Sequence, residues 1–364
     1  MLPELTKYML TNWNRFFPVT RKPNNIDFLG IPGSVDGGTT TFLAFGDQMK
    51  TPLFVIKVHR HEDVYERVTN EVKVLNYLAT CDDDISNTVP RLIISKKISG
   101  VWVLVQSILK GKPMDVIINK KGTPKLKYSE KNFRLITTWL EKLSLTSRSV
   151  DDSLCNRHSQ YFKETIDNFT FLFGLSAKEL YLRDFIIERI SSIIEEGLCI
   201  QHGDFCRQNL LVFSPLIRTR FSVIDWTDCK RFGLPLHDLF FFFTTYFFQV
   251  RRGTLKKITE SFESTFFEDN SYSKLVKYYI AKHCEALSVE RSNLSARFGL
   301  FLIERAIAEY QRLLKCSNND VLPRFTINLA LSERTDFKEA LKKQLWIRYF
   351  RAYADKRELF EKGL

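Results

Sequence analysis

One stretch, Gln201-His202-Gly203-Asp204-Phe205-Cys206-Arg207-Gln208-Asn209, limits the folds open to this chain more than any other. It sits among short β-like runs in a half of the sequence that otherwise has helical periodicity. Sixteen residues after Asn209, a further apolar run ends in Val223-Ile224-Asp225-Trp226. A loop carboxylate with an amide oxygen five residues on sets a base and a metal ligand side by side. A second carboxylate, at the end of a neighbouring strand, closes a site for a hard cation such as magnesium, which prefers oxygen ligands and retains waters and phosphate oxygens. Asp204, Asn209 and Asp225 fit these three positions. Phosphoryl transfer needs such a set: an acceptor for a hydroxyl proton, oxygen ligands for magnesium, and a cation on the donor phosphates.

The rest of the chain is organised around that stretch. In residues 1–109, glycine-rich turns alternate with short apolar runs. Residues 40–45 and 53–58 read as strands joined by a hairpin at 46–50, and residues 92–95 and 101–108 as a second strand pair around Ser99-Gly100. Between the pairs, Val64, Val68, Val72, Leu75 and Leu78 have the spacing of an amphipathic helix over 61–80. Lys110-Gly111-Lys112-Pro113 breaks the pattern and marks a hinge. Beyond it, residues 130–143, 185–196, 236–250, 273–287 and 293–314 carry helical periodicity, and 331–362 is expected to hold two more helices. The expectation is an α+β, protein-kinase-like chain: a small β-rich N-lobe (1–109) that binds nucleotide, and a larger, mainly helical C-lobe (110–364) with the catalytic loop, metal site and acceptor site.

HGDxxxxN followed by IDW resembles the aminoglycoside phosphotransferase and choline kinase superfamily, relatives of the protein kinases. The resemblance spans roughly residues 30–248. It implies Asp204 as catalytic base, Asn209 and Asp225 as metal ligands, His202 as a support of the loop, and Asp238 in Gly233-Leu234-Pro235-Leu236-His237-Asp238 as a structural aspartate. Phe54-Val55-Ile56-Lys57-Val58 is similar to the strand whose lysine contacts the α- and β-phosphates. Glu62, Glu66 and Glu71 on the next helix are candidate partners for Lys57. Glu71, fourteen residues on and next to the apolar stripe, suits the family best. The segment 30–40 resembles the superfamily's phosphate-covering loop, with Ser34, Gly37, Gly38 and Thr39 as its nucleotide contacts, and the adenine is expected against 105–109. The implied cofactors are ATP, or another nucleoside triphosphate, and magnesium. Phe133 to Leu140, HGDF, IDW and GLPLHDLFFF are closest to phosphotransferase-domain proteins of surface-glycan biosynthesis, which implies a sugar or glycan hydroxyl as acceptor. A pseudokinase scaffold is the alternative. Arg207 reads as a surface arginine, with contact to a phosphate or an anionic acceptor as the alternative.

Composition narrows the partners. The 364 residues carry 54 Lys and Arg against 42 Asp and Glu, a net charge of +12. Residues 111–364 hold 41 basic and 31 acidic side chains, so +10 of it falls on the acceptor side. That weighs against a polycationic substrate and towards an acidic one. No zinc knuckle or basic low-complexity arm accompanies the charge, so nucleic acid is not an expected partner. The run 239–248 (LFFFFTTYFF), part of a total of 31 Phe, is about half the length of a membrane span and reads as core. The mixed aromatic and basic segment 342–362 leaves peripheral contact with an anionic membrane open. Seven cysteines, an odd number without a CxxC pair, and no apparent signal peptide point to the cytoplasm.

Overall fold

The computed structural model describes the chain except residues 19, 32–38, 48, 61–64, 120–124, 214–219, 248–254, 318–343 and 363–364. The chain divides into two compact units: Met1–Met114 with Gln208–Arg231, and Asp115–Arg207 with Phe232–Leu364.

The first unit opens with helices α1 (Leu2–Thr11) and α2 (Trp13–Phe16). Strands β1 (Ile26–Ile31), β2 (Thr39–Gly46) and β3 (Phe54–His59) follow, then helices α3 (Tyr65–Leu78) and α4 (Asp83–Ser86), and strands β4 (Leu92–Ile98) and β5 (Val101–Ser107). The five strands form one antiparallel sheet in the order β1-β2-β3-β5-β4. Side chains alternate across a strand. On one face, Phe54, Ile56 and Val58 of β3 join Val103 and Val105 of β5 and pack on Leu5, Met9 and Trp13 of the N-terminal helices. The other face receives α3, whose Val68 packs on Leu104. Alternation therefore sends Lys57 and His59 of β3, and Gln106 of β5, to the α3 side.

The two strand pairs and the helix of the β-rich half thus lie where periodicity predicts them, although α3 is described only from Tyr65. The N-terminal helices were not anticipated. Their Leu5, Met9 and Trp13 recur at helical spacing and are fully buried, but the run is too short to separate from a strand by pattern alone.

Strand β6 (Lys112–Pro113) ends the first segment. The chain then builds, in the second unit, helices α5 (Met114–Asn119), α6 (Leu126–Ser147), α7 (Asp152–Phe173) and α8 (Ala177–Glu195) and strand β7 (Cys199–Gln201). It returns to the first unit for β8 (Leu210–Phe213) and β9 (Arg220–Val223), an antiparallel pair with Leu210 opposite Val223 and with β6 on the outer edge of β8. After β10 (Lys230–Gly233) come α9 (His237–Tyr246), α10 (Leu255–Phe266), α11 (Ser271–Leu287), α12 (Arg291–Ser317) and α13 (Leu345–Glu361).

The phenylalanines fill the core of the helical unit. Phe133 of α6 meets the rings of Phe242, Phe243, Tyr246, Phe247 and Tyr279 at centroid distances of 4.8–6.1 Å, all near edge-on, as ring quadrupoles favour. The C-terminal helix turns Trp346, Ile347, Tyr349, Phe350, Tyr353 and Phe360 inward. Two helices were expected over 331–362; the described part, Leu345–Glu361, is two helical stretches that meet at a kink at the non-helical Lys356, and residues 331–343 lie outside the described residues. Helix α7 was missed because its sequence is polar. Its signals were present: Asp151 caps it by accepting from the Ser153 and Leu154 amides at 2.9 and 3.0 Å, and Phe162, Thr165, Ile166 and Phe169 form its buried stripe. Among the described residues, no helix is long and apolar enough to cross a membrane.

Candidate active site

Each unit holds its own cluster. In the first, Lys57 is 5 % exposed and its ammonium has three acceptors: Glu71 Oε1 at 2.7 Å, Asp225 Oδ1 at 2.8 Å and the Thr227 hydroxyl at 2.8 Å. An ammonium has three N–H groups, so these contacts use all of them. Burial alone would push the Lys57 pKa down. The Glu71 and Asp225 carboxylates outweigh it and hold the ammonium well above its ordinary value. Glu71 is fully buried on the apolar face of α3 with Val68, Leu75 and Leu78, and Gln106 donates to it at 2.8 Å. Glu66, by contrast, is exposed, and Glu62 lies outside the described residues. Sharing a face with Val68, Leu75 and Leu78 is the pattern that separates Glu71 from the other two.

The β8–β9 hairpin explains the sixteen-residue spacing. Its two strands run side by side from Asn209 out and back to Asp225, and the Ile224 amide donates to the Asn209 carbonyl at 2.9 Å. Asn209 and Asp225 thereby sit on adjacent segments. The Val223 amide donates to the Thr88 carbonyl at 2.8 Å, which ties the hairpin to the end of α4. Asp225 adopts a left-handed conformation (φ 65°), which acidic residues tolerate better than most. Its side chain is 49 % exposed, while Asn209 is buried.

One half-exposed carboxylate and one amide oxygen suit magnesium, whose remaining ligands are water and phosphate. Among the described residues, no group of three or more His, Cys, Asp or Glu is arranged to hold a metal by itself.

Two residues beyond the motif complete this cluster. Thr227 bridges Lys57 to Asp225, donating to Asp225 Oδ1 at 2.8 Å. Arg67, one helical turn before Glu71, pairs with Asp228 of the turn Trp226–Asp228. Asp228 is thus an anchor between α3 and the IDW turn.

In the second unit, the loop 202–207 is fixed by its backbone. Gly203 has φ 84°, a conformation that favours glycine. Asp238 at the start of α9 accepts from the His202 amide at 2.6 Å and the Gly203 amide at 3.0 Å. Burial pushes its pKa up, against the opposing pull of His202 and these two bonds. Arg305 of α12 donates to the Gly203 carbonyl at 2.7 Å, while its guanidinium lies 4.1 Å from the Phe241 ring. The next residue back, Glu304, pairs with His237 at 2.8 Å. His202 Nδ1 accepts from the Asp204 amide at 3.2 Å, and the rings of Phe205 and Trp139 stack at 5.7 Å.

Asp204 itself is partly exposed between fully buried neighbours. Arg305 and Glu304 lie a hundred residues from the loop, and no local motif announces them. Arg207 is a correction: it is 1 % exposed rather than on the surface. Of the expected phosphate-loop residues, Ser34, Gly37 and Gly38 lie outside the described residues. Thr39 opens β2, and its hydroxyl is 2.9 Å from His59 Nδ1.

An antiparallel five-stranded sheet carrying a buried Lys–Glu pair, a hairpin bearing Asn209 and Asp225, and a helical unit with an HGD loop define a chain of the α+β, protein-kinase-like class. The sequence profile of the phosphotransferase enzyme family matches residues 44–266, so the chain belongs to that family, within the aminoglycoside phosphotransferase and choline kinase superfamily. No curated protein matches the chain.

Proposed function

We propose that the chain is a magnesium- and ATP-dependent phosphotransferase that moves the γ-phosphoryl group to a hydroxyl of a small molecule, a sugar or glycan intermediate. The observation that carries this reading is the Lys57 cluster, with its ammonium held by Glu71 at 2.7 Å and by Asp225 at 2.8 Å. Lys57, kept charged, holds the donor phosphates. Glu71, gripped by Gln106, keeps the ammonium in place, while Lys57 exchanges its contacts to the half-exposed Asp225 and to Thr227 for contacts to phosphate oxygens. Asn209 and Asp225 would hold magnesium, which when bound neutralises charge on the transferred group. Asp204 orients the acceptor hydroxyl and takes its proton. Asp238 and Arg305 fix the Gly203 peptide so that Asp204 keeps one position. Six cysteines described in the structure are free thiols, in keeping with a cytoplasmic setting.

The test is mass spectrometry of products formed by the full chain with ATP and magnesium across a panel of sugars and amino alcohols. A phosphorylated product is expected, and Asp204→Asn is expected to lower its rate by about 10²–10⁴-fold. No product from the panel, or an Asp204→Asn variant as fast as the wild type, would sink the reading. Retained binding of ATP with magnesium in that event would point to a pseudokinase.

A further inference from the structure

Arg207 is the side chain that the transfer chemistry leaves unused. It follows Asp204 by three residues and is 1 % exposed. Among the described residues, neither terminal nitrogen of its guanidinium has a hydrogen-bond acceptor. Among the described residues of the helical unit, no counter-charge is in contact with it. The Tyr246 ring centroid is 5.7 Å from the guanidinium carbon. The Tyr246 hydroxyl is already engaged, accepting from Asn132 at 3.1 Å and donating to Ser129 at 3.3 Å, and burial pushes its pKa up, so it stays neutral. Asp115 attracts the guanidinium from a distance, but its carboxylate accepts from the Val116 amide at 2.7 Å.

Arg297, equally buried, has a countercharge in contact: one of its terminal nitrogens meets Glu196 at 2.7 Å and the Ile193 carbonyl at 2.8 Å. Burying a guanidinium without such partners is costly. Its two terminal nitrogens form a planar fork that matches the two oxygens of a carboxylate or phosphate. We infer that Arg207 is an anion-binding residue of the acceptor site, so that the acceptor carries a phosphate or carboxylate group besides the hydroxyl offered to Asp204.

This inference rests on the phosphotransferase reading and adds the class of acceptor. The Cα atoms of Asp204 and Arg207 are at most about 10 Å apart, the span of a phosphorylated or carboxylated sugar. The excess of 41 basic over 31 acidic side chains in residues 111–364 favours the same class. Both nitrogens are closed off in the ligand-free chain, so the anion uncovers its own site as it binds.

Thermal unfolding of the full chain at constant ionic strength tests this. The probes are inorganic phosphate, glucose 6-phosphate, glucuronate and glucose, each at about 10 mM. At least one anionic probe is expected to raise the wild-type midpoint by about 2 °C or more, and glucose to leave it unchanged. The phosphate and carboxylate arms tell the two anions apart. Arg207→Met is expected to lose the anion shift while unfolding, without ligand, no lower than the wild type. If Arg207→Met gives no cooperative transition, Arg207→Lys carries the test, with its anion shift cut to less than half because the fork is gone.

An anion shift that survives substitution overturns the inference, as does a wild type indifferent to every anion. Loss of the shift caused by magnesium and ADP in Arg207→Met, with the anionic-sugar shift kept, would put Arg207 on the donor phosphates and overturn it too. No turnover is measured, so failure here leaves Asp204-dependent transfer standing. Failure of that transfer would in turn leave the anion shift in place.

Discussion

Lys57 and Arg207 are both buried cations, and their surroundings are opposite. Lys57 has two carboxylates and a hydroxyl on its three N–H groups. Arg207 has an aromatic ring and, among the described residues, no acceptor for its terminal nitrogens. A compensated buried charge holds its surroundings in place, because removing either partner strands the other. An uncompensated one weakens the free chain and gains only when a ligand arrives. The same kind of substitution should therefore change stability in opposite directions at the two places, with the Lys57 cluster losing stability and Arg207 losing none.

The largest effect is expected at Glu71. Glu71→Gln leaves Lys57 buried with half of its countercharge, at a cost of about 3 kcal/mol, the low end for a broken buried pair because Asp225 remains. Urea denaturation measures it. The double variant Lys57→Met/Glu71→Leu removes both charges and should return to within about 1 kcal/mol of the wild type. A double variant as unstable as the single one would mean that packing, not charge, governs the α3–β3 contact, and the contrast with Arg207 would lose its basis.

The intermediate effect concerns whether the Lys57 cluster is balanced without its neighbour His59. That imidazole lies on the same face of β3, is 2 % exposed, and has its Nδ1 2.9 Å from the Thr39 hydroxyl. Burial pushes its pKa down to about 4, aided by Lys57 and Arg67 and opposed by Glu71 and Asp225. The unfolded chain takes up a proton near pH 6.5, while the folded chain resists until about pH 4. Stability must then fall as pH drops through that window. At pH 5 the loss from this group is about 2 kcal/mol. His59→Gln should remove that loss and flatten the fall in stability between pH 7 and 5. An unchanged slope would show that His59 is protonated in the fold and belongs to the charge balance of the cluster.

How much of this was legible in the sequence follows the range of the interactions. β3 and the buried side of α3 are local patterns: alternation puts Lys57 opposite Phe54 and Ile56, and helical spacing puts Glu71 with Val68 and Leu75. The Asn209–Asp225 interval is local as well, being the length of one hairpin. Thr227 lies next to the motif, but nothing in its residue type says that a hydroxyl will reach Lys57. Arg207 was misread because composition makes an arginine a surface residue by default, and its burial depends on α9, whose Tyr246 lies 39 residues away. The N-terminal helices and α7 escaped because short or polar stripes are ambiguous until a partner face exists to bury them.

Arg305 is the furthest from any local signal and sets the smallest of the effects. Its guanidinium holds the Gly203 carbonyl at 2.7 Å and lies 4.1 Å from the Phe241 ring and 5.2 Å from the Trp346 ring. With Asp238 on the Gly203 amide, it holds both sides of the residue that precedes Asp204. Through the Gly203 peptide it acts as a positioning residue in the proposed chemistry, and its loss should blur the aim of Asp204 without removing it. Arg305→Met is expected to lower kcat about 10-fold and stability by about 1–2 kcal/mol, with KM for ATP nearly unchanged. Arg305→Lys can still reach the carbonyl with one donor and should recover part of kcat. A rise in KM for ATP with kcat intact would mean that Arg305 serves nucleotide binding. A stability loss without any change in kcat would mean that Asp238 alone sets the loop, and that a partnered cation near a catalytic loop can be purely architectural.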